Sequence, residues 1–495
     1  DYPLKKSDHV ALPDFSSGAM ENWGLITYRE ISLLADPKNT SISSKQYIAT
    51  VIAHELSHQW FGNLVTMKWW DELWLNESFA SLMEYVAVDA LQPNWNIWLD
   101  FASFDSVIAL KRDSLDGVQS VKTNVNHPDE IATLFDGAIV YAKGARLLHM
   151  LKKYIGEDAF RFGLAQYFKA NAYKNTIDAD LWKALGETSQ KDIKNFMETW
   201  ILQPGYPVIH VSKNRKTITL TQERLRSKSA KPSESIWPIP LNSNCPNAPE
   251  IMTTESISFD TDMKELIQFN VGNFGHYIVN YDSESRKQII ESIKNGSLST
   301  IDRVQLLNEQ TILANMGINS YANLIPLIQA FENETEDSVW DMVGLAISEL
   351  KKFVINDEPA EKKLKSLAMQ LTAKQFGRLG WNKKPDEPES DTKLRSLILG
   401  LMVYAENPEV MSEAMRLFQE NSVTGLDPEL RGLIIVAVIM QTNDEDVINW
   451  LIDIYKTTNS SDLKQDLNIG LTATRNPETV KKLLSLIKDN SIIRS

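Results

Sequence analysis

Apolar residues recur every three or four positions over most of the first 205 residues, which is the spacing of amphipathic helices. The clearest helix is predicted from residue 44 to about residue 61, and a second from about Leu75 to Leu91. The first 30 residues instead contain loops and short strands, with a β-prone run from Leu25 to Tyr28. The pattern therefore predicts a mainly helical first domain with a small sheet at its start, which we assign to residues 1–206.

The pattern changes after Pro204, Gly205 and Pro207, residue types that interrupt helices. Apolar and polar residues then alternate in several short runs up to Asp282, as they do from Thr217 to Leu220. Alternation with a period of two indicates strands that bury one face, and polar turns separate the runs. We therefore predict a small β-sandwich over residues 207–285.

From residue 286 to the end, helical segments follow one another with short joints. Three joints, which start at Asn407, Asp427 and Asn476, combine a capping side chain, a proline at the first helical position and an acid in the first turn. Helices at such regular intervals are typical of an α-solenoid of the HEAT/armadillo type. The predicted fold class is thus multidomain and mainly α, with a solenoid over residues 286–495.

The composition excludes several classes of function. With 51 Lys and Arg against 65 Asp and Glu, the formal net charge is −14, whereas a nucleic-acid partner would require a basic face. The single cysteine, Cys245, excludes an intrachain disulfide framework. Apolar runs fall short of the about 20 residues of a membrane helix, so we expect no membrane partner. The lone cysteine and the lack of a targeting segment suggest a cytoplasmic location.

Candidate chemistry is concentrated in the pentapeptide His54-Glu55-Leu56-Ser57-His58. Residues four apart on a helix point in nearly the same direction, so both imidazoles can reach one metal ion. Glu55 is rotated away from ligation but remains close to a water on that metal, where it can act as general base. This pattern indicates a zinc hydrolase.

A catalytic zinc ion needs a third protein ligand and an open position. Eighteen residues after His58, at the start of the second predicted helix, Glu77 is the natural candidate. Two histidines and a carboxylate form a catalytic set, whereas closed structural sites are usually rich in cysteine. We therefore predict one Zn²⁺ per chain, and we expect Glu84 or Asp71 to accept a hydrogen bond from a ligating histidine.

The segments from His54 to Thr66 and from Trp74 to Glu77 resemble the zinc signature of the aminopeptidase N family, in the gluzincin class of metallopeptidases. Upstream, the run Gly18-Ala19-Met20-Glu21-Asn22 matches the exopeptidase motif of that family, and both motifs are most similar to members from lactic acid bacteria. The resemblance extends over the whole chain. It implies a thermolysin-like α+β catalytic domain that removes the N-terminal residue from peptides.

The resemblance also implies roles for individual residues. Glu21 would bind the free α-ammonium of the substrate, which restricts the partners to peptides with a free N-terminus. Gly18 and Ala19 would lie on an edge strand that pairs with the peptide, and Met20 would line the pocket for its first side chain. Tyr141 would donate a hydrogen bond to the oxyanion of the transition state.

Members of this family carry a β-rich domain before the catalytic one, and it normally completes the substrate pocket. We expect this chain to be a core fragment that lacks that domain, the opening strands of the catalytic domain and the end of the helical domain. Two alternatives remain: a scaffold with a weak or inactive zinc site, and a related gluzincin endopeptidase or epoxide hydrolase. The run from Gly18 to Asn22 favours the aminopeptidase.

Overall fold

The computed structural model describes residues 2–227 and 233–488, most of which are helical. The chain forms two compact units. The first contains Ala53–Phe331 and a few residues near the start of the chain, and the second contains Lys6–Ile52 and residues 332–488. In the described part of the chain, no helix is both long and apolar enough to cross a bilayer.

The second unit begins with a small sheet. Its strands are β1 (Asp8–Leu12), β2 (Ala19–Met20) and β3 (Leu25–Arg29), in the order β1-β3-β2. Strand β1 runs parallel to β3 and β2 runs antiparallel to it, so β2 is an edge strand. The predicted strand from Leu25 is confirmed, and its central position in the sheet explains why Ile26 and Tyr28 are fully buried.

Helix α1 (Ile42–Ser57) starts in the second unit and ends in the first. Strand β4 (Val65–Met67) and helix α2 (Trp74–Leu91) follow it, so both predicted helices are confirmed. The first helix ends four residues earlier than we predicted, and a turn over residues 58–60 leads to Gly62, whose φ of +119° is incompatible with a helix. This turn brings the start of α2 back to the end of α1.

The remaining helices and strands of the first half surround α2. They are α3 (Ile97–Asp100), α4 (Ser106–Asp113), α5 (Ile131–Leu134), α6 (Gly144–Ile155), α7 (Glu157–Asn171), β5 (Lys174–Thr176), α8 (Asp178–Ser189) and α9 (Ile193–Leu202). Two π-helical stretches, Phe101–Asp105 and Gly137–Lys143, lead directly into α4 and α6. Stacked aromatic rings fill the core beside α2, and the ring centroids of Phe61 and Phe79 are 4.4 Å apart.

Strands replace helices after residue 206, as the alternation predicts. They are β6 (Pro207–Asn214), β7 (Thr217–Arg224), β8 (Ile239–Pro240), β9 (Ile251–Met252), β10 (Ser256–Asp260) and β11 (Ile278–Asn280). They form a four-stranded sheet in the order β10-β7-β6-β11 and a two-stranded sheet of β8 and β9. A sandwich of these sheets stays a prediction, as do the domain boundaries at residues 206 and 285.

The last part of the chain is helical. Helices α10 (Ser283–Lys294), α11 (Thr300–Asn315) and α12 (Leu324–Gln329) belong to the first unit. The second unit contains α13 (Asp337–Val354), α14 (Glu358–Leu379), α15 (Glu389–Tyr404), α16 (Pro408–Glu420), α17 (Arg431–Thr442), α18 (Glu445–Thr457), α19 (Ser461–Leu471) and α20 (Pro477–Ile487). Helices α13, α15, α17 and α19 pack in succession. The solenoid stays a prediction.

The joints between these helices test the capping prediction. Asn407 and Asn476 cap α16 and α20, each with proline at the first helical position, which confirms two of the three predicted starts. The third helix start is wrong, because α17 begins only at Arg431, although Oδ1 of Asp427 accepts a hydrogen bond from Glu429 N at 2.9 Å. Residues Pro428 to Leu430 form a turn in which the Asp427 carbonyl accepts a hydrogen bond from Arg431 N at 2.8 Å.

Candidate metal centre

Three side chains meet where α1 ends and α2 begins. Candidate ligand atoms of His54, His58 and Glu77 all lie within 4.8 Å of one another. Oε2 of Glu77 is 3.2 Å from Nε2 of His58 and 3.4 Å from Nε2 of His54, and the two imidazole Nε2 atoms are 2.9 Å apart. His58 and Glu77 are buried, and His54 is nearly so.

The opposite ring nitrogens of the histidines hold hydrogen bonds that orient this cluster. Nδ1 of His54 donates to Oε2 of Glu84 at 2.7 Å, and Nδ1 of His58 donates to Oδ1 of Asn76 at 2.6 Å. With Nδ1 engaged in these hydrogen bonds, each ring directs its Nε2 toward the other ring and toward Glu77. The three ligand atoms converge on one point, and two imidazoles with one carboxylate are a donor set of catalytic zinc.

The electrostatics of the cluster also favour a cation. Burial opposes the charged form of Glu77, but His58 and His54 outweigh it and hold the pKa of this carboxyl at about 2. Burial likewise opposes protonation of His54, but hydrogen bonds to Glu77 and Glu84 raise its pKa well above the ordinary value. The pocket therefore stabilises positive charge at the point where the three ligand atoms converge.

The turn between the two helices explains how Asn76 reaches His58. A Cβ atom on Gly62 would lie 2.0 Å from Oδ1 of Asn76, the atom that accepts the hydrogen bond from His58. Only glycine leaves room for that amide. The role of Asn76 was not predicted from the sequence because an amide is not itself a zinc ligand, although its place next to Glu77 was a usable signal.

We expect Gly62→Ala to weaken zinc binding by about 10- to 100-fold, the usual cost of disturbing a group that supports a ligand. The added methyl group would displace Asn76 and release the imidazole of His58. A zinc titration against a competing chelator measures this. Gly117→Ala is the matched control, since its φ of +76° carries similar strain but no atom lies within 4 Å of the added Cβ. Equal zinc affinities of the two variants would contradict the role of Asn76.

Two further predicted residues lie next to the ligands. Glu55 follows His54 in α1 and is buried, with only 6% of its surface exposed. Tyr141 lies in the π-helical stretch Gly137–Lys143, and its ring centroid is 6.0 Å from that of His54, with 21° between the ring planes. The first compact unit thus contains the three candidate ligands, the candidate base and the candidate oxyanion donor.

The run Gly18-Ala19-Met20-Glu21-Asn22 belongs to the second compact unit. Ala19 and Met20 form edge strand β2, with Ala19 opposite Tyr28, and Met20 is 40% exposed. The carbonyl of Gly18 accepts a hydrogen bond from Arg29 N at 2.9 Å, and Asn22 Nδ2 donates to Oγ1 of Thr27 at 3.3 Å. The roles of these residues, and of Glu21, toward a substrate stay predictions.

Two protein-family models match this chain. The Peptidase family M1 domain matches residues 1–200, and the ERAP1-like C-terminal domain matches residues 266–495. Two domain models along one helix-rich chain confirm that the protein is multidomain and mainly α.

Named relatives agree with these matches. The whole chain is 41% identical to an aminopeptidase N of Lactococcus lactis subsp. lactis (strain IL1403) and 39% identical to one of Lactobacillus helveticus. It is also 35% identical to a glutamyl aminopeptidase of Bitis rhinoceros. The chain spans 59% of the length of the two bacterial relatives and 53% of the third. The chain therefore contains a Peptidase family M1 domain over residues 1–200 and is similar to aminopeptidases N along its whole length.

Proposed function

We propose that this chain is the core of a zinc-dependent aminopeptidase that hydrolyses the N-terminal residue from peptides. The observation that carries the proposal is the convergence of His54, His58 and Glu77 within 4.8 Å. Relatives named aminopeptidase N support an exopeptidase over a scaffold or an endopeptidase.

We further propose a thermolysin-like catalytic domain over residues 1–206, a β-sandwich over 207–285 and an α-solenoid over 286–495. We also propose a cytoplasmic location.

His54, His58 and Glu77 are the residues that would hold one Zn²⁺. When bound, the ion would supply a Lewis acid that polarises the substrate carbonyl and makes water nucleophilic near neutral pH. Glu84 and Asn76 keep the protons of the two imidazoles on Nδ1, so that both Nε2 lone pairs stay available as ligands.

Glu55 and Tyr141 carry out the proton and hydrogen-bond steps of the proposed reaction. The carboxylate of Glu55 accepts a proton from the water that adds to the first peptide carbonyl, and it then delivers this proton to the departing amine nitrogen as the C–N bond breaks. The phenol of Tyr141 donates a hydrogen bond to the carbonyl oxygen as negative charge develops there.

The selectivity for chain ends is assigned to the run from Gly18 to Asn22. The carboxylate of Glu21 would bind the α-ammonium that only an unblocked N-terminal residue carries, through a charge-assisted hydrogen bond. The backbone of Gly18 and Ala19 would pair with the extended peptide at the edge of the sheet, and Met20 would contact the first side chain.

A zinc determination combined with an assay of leucine p-nitroanilide and its N-acetylated form tests the proposal. We expect one zinc ion per chain, hydrolysis of the unblocked anilide and about 10- to 100-fold slower hydrolysis of the acetylated one, in line with the loss of a charged hydrogen bond. In Glu21→Ala the ratio of the two hydrolysis rates should decrease. In Glu30→Ala, a control in the same unit, the ratio should stay at its wild-type value. Bound zinc without turnover would favour the inactive scaffold. Cleavage of an acetylated peptide at the same rate as its unblocked form would favour the endopeptidase.

A further inference from the structure

The direction of the Tyr141 side chain depends on how its backbone is fixed. Tyr141 lies in the π-helical stretch Gly137–Lys143, a wider helix that is rare and concentrated at functional sites. Asp136 fixes the start of the stretch, because its Oδ1 accepts a hydrogen bond from Ala138 N at 3.0 Å. The first residue of α6, Gly144, follows the end of the stretch.

A fully buried ion pair fixes the end of the stretch. The ammonium of Lys143 lies 2.8 Å from Oδ2 of Asp113, and both side chains are 0% exposed. Lys143 also donates to the carbonyl of Gly205 at 3.2 Å, and Gly205 N donates to Oδ1 of Asp113 at 2.8 Å. The pair thus ties the Tyr141 stretch to the end of α4 and to the chain that enters the β region.

His276, which precedes strand β11, extends this network. Its Nε2 donates to Oδ2 of Asp113 at 3.0 Å, and its Nδ1 accepts from Nε of Arg146 at 3.3 Å. Burial lowers the pKa of His276 to about 4, against the opposing effect of Asp113, so its ring is neutral near pH 7. Burial opposes ionisation of Asp113, but Lys143 and His276 outweigh it and hold its pKa at about 2. Asp113 therefore stays a carboxylate and Lys143 keeps its anionic partner.

The middle of the stretch rests on the helix that carries Glu77. Ser78, the next residue of α2, donates from Oγ to the carbonyl of Val140 at 2.5 Å. A Cβ atom on Gly144 would lie 1.9 Å from that Oγ, so the two backbones approach too closely for any larger residue. A shift of the stretch would therefore move Tyr141 relative to Glu77 and His54.

We propose that Lys143, held by Asp113 and His276, is a positioning residue that sets the place of the Tyr141 hydroxyl, an inference that rests on the proposed function. A buried ion pair adds little net stability compared with apolar side chains of similar volume, because desolvation offsets the attraction. The pair does fix the position of the Lys143 side chain, since a buried ammonium has to stay beside its carboxylate. Lys143 is two residues from Tyr141, so a fixed Lys143 restricts the short backbone segment that orients the phenol.

A double-mutant cycle in the zinc-loaded protein tests the positioning role. We expect Lys143→Met to lower kcat for leucine p-nitroanilide about 10- to 100-fold, less than a whole catalytic hydrogen bond, with KM changed less than about threefold and zinc retained. In a Tyr141→Phe background the same substitution should lower kcat less than about threefold, because the hydroxyl that it positions is gone. Equal losses in both backgrounds would overturn the proposal.

Two further variants separate positioning from folding. The double variant Asp113→Asn/Lys143→Met removes both buried charges, so it should fold where Lys143→Met is unstable, and its kcat should remain low. Recovery of wild-type kcat in this variant would overturn the proposal. Lys191→Met is the matched control, since Lys191 also links a helical segment to the β region, through Oε1 of Glu250 at 2.8 Å, and its loss should leave kcat unchanged.

Hydrogen exchange gives a readout that does not need activity. In Lys143→Met the amides of residues 137–143 should exchange at least about tenfold faster than in the wild-type protein, while those of α7 keep their rates. Unchanged exchange in the stretch would overturn the proposal even if the enzyme is active. If the wild-type protein failed to cleave the unblocked anilide but this exchange difference appeared, the proposed function would be wrong. The structural role of Lys143 in fixing residues 137–143 would still be supported.

Discussion

Replacement of Glu55 by glutamine should abolish most turnover and leave the metal in place. The amide has nearly the shape of the carboxylate, so the buried position of Glu55 on α1 stays filled and the imidazoles on either side keep their places. An amide cannot accept a proton from water, and loss of a general base costs about 100- to 10,000-fold in rate. Steady-state kinetics on leucine p-nitroanilide, with zinc determined on the same sample, measures both effects.

Glu198→Gln is the matched control for this substitution. Glu198 lies on α9 of the same unit and forms only a loose pair with Lys194, at 3.7 Å, so its amide should leave kcat and zinc content unchanged. Near-normal kcat in Glu55→Gln with full zinc occupancy would contradict the assignment of Glu55 as the base. Loss of zinc in that variant would show instead that the side chain acts on the metal site.

The convergence of the three candidate ligands could be predicted from the sequence because helix geometry alone brings two of them together. Histidines four apart on one helix face share a direction, and Glu77 opens the next periodic segment. The choice between Glu84 and Asp71 was open, but the same periodicity could have decided it. Glu84 lies seven residues after Glu77 and so occupies the same face of α2, whereas Asp71 precedes that helix.

Other features depend on contacts between residues far apart in the sequence. Ile42 N, at the start of α1, donates at 2.7 Å to Oε1 of Glu429, a residue 387 positions later, so a local pattern cannot show where that helix begins. The late start of α17 has a different origin: the turn after Asp427 has the composition of a helix start, so the local pattern does not distinguish the two. The π-helical stretch around Tyr141 was also unpredictable, since buried partners on other elements hold it in place.

Replacement of Glu77 by glutamine should remove the zinc ion, and with it nearly all activity. The amide loses the negative charge that lies 3.2 Å from Nε2 of His58, and the three-ligand set loses its only anion. Disturbance of a supporting group already costs 10- to 100-fold in metal affinity, so loss of this ligand should cost more than about 100-fold. Competition with a chelator measures the affinity directly.

Glu84→Gln is the graded control for this prediction, because Glu84 contacts the cluster through a hydrogen bond with Nδ1 of His54. Its amide can still accept that hydrogen bond but without charge, so zinc affinity should fall by about 10- to 100-fold, between the wild-type protein and Glu77→Gln. Zinc binds the folded chain, so added zinc should raise Tm in the wild-type protein, less in Glu84→Gln and least in Glu77→Gln. An identical rise in all three would show that zinc stabilises the chain at a place other than this cluster, and the metal centre would then have to be assigned elsewhere.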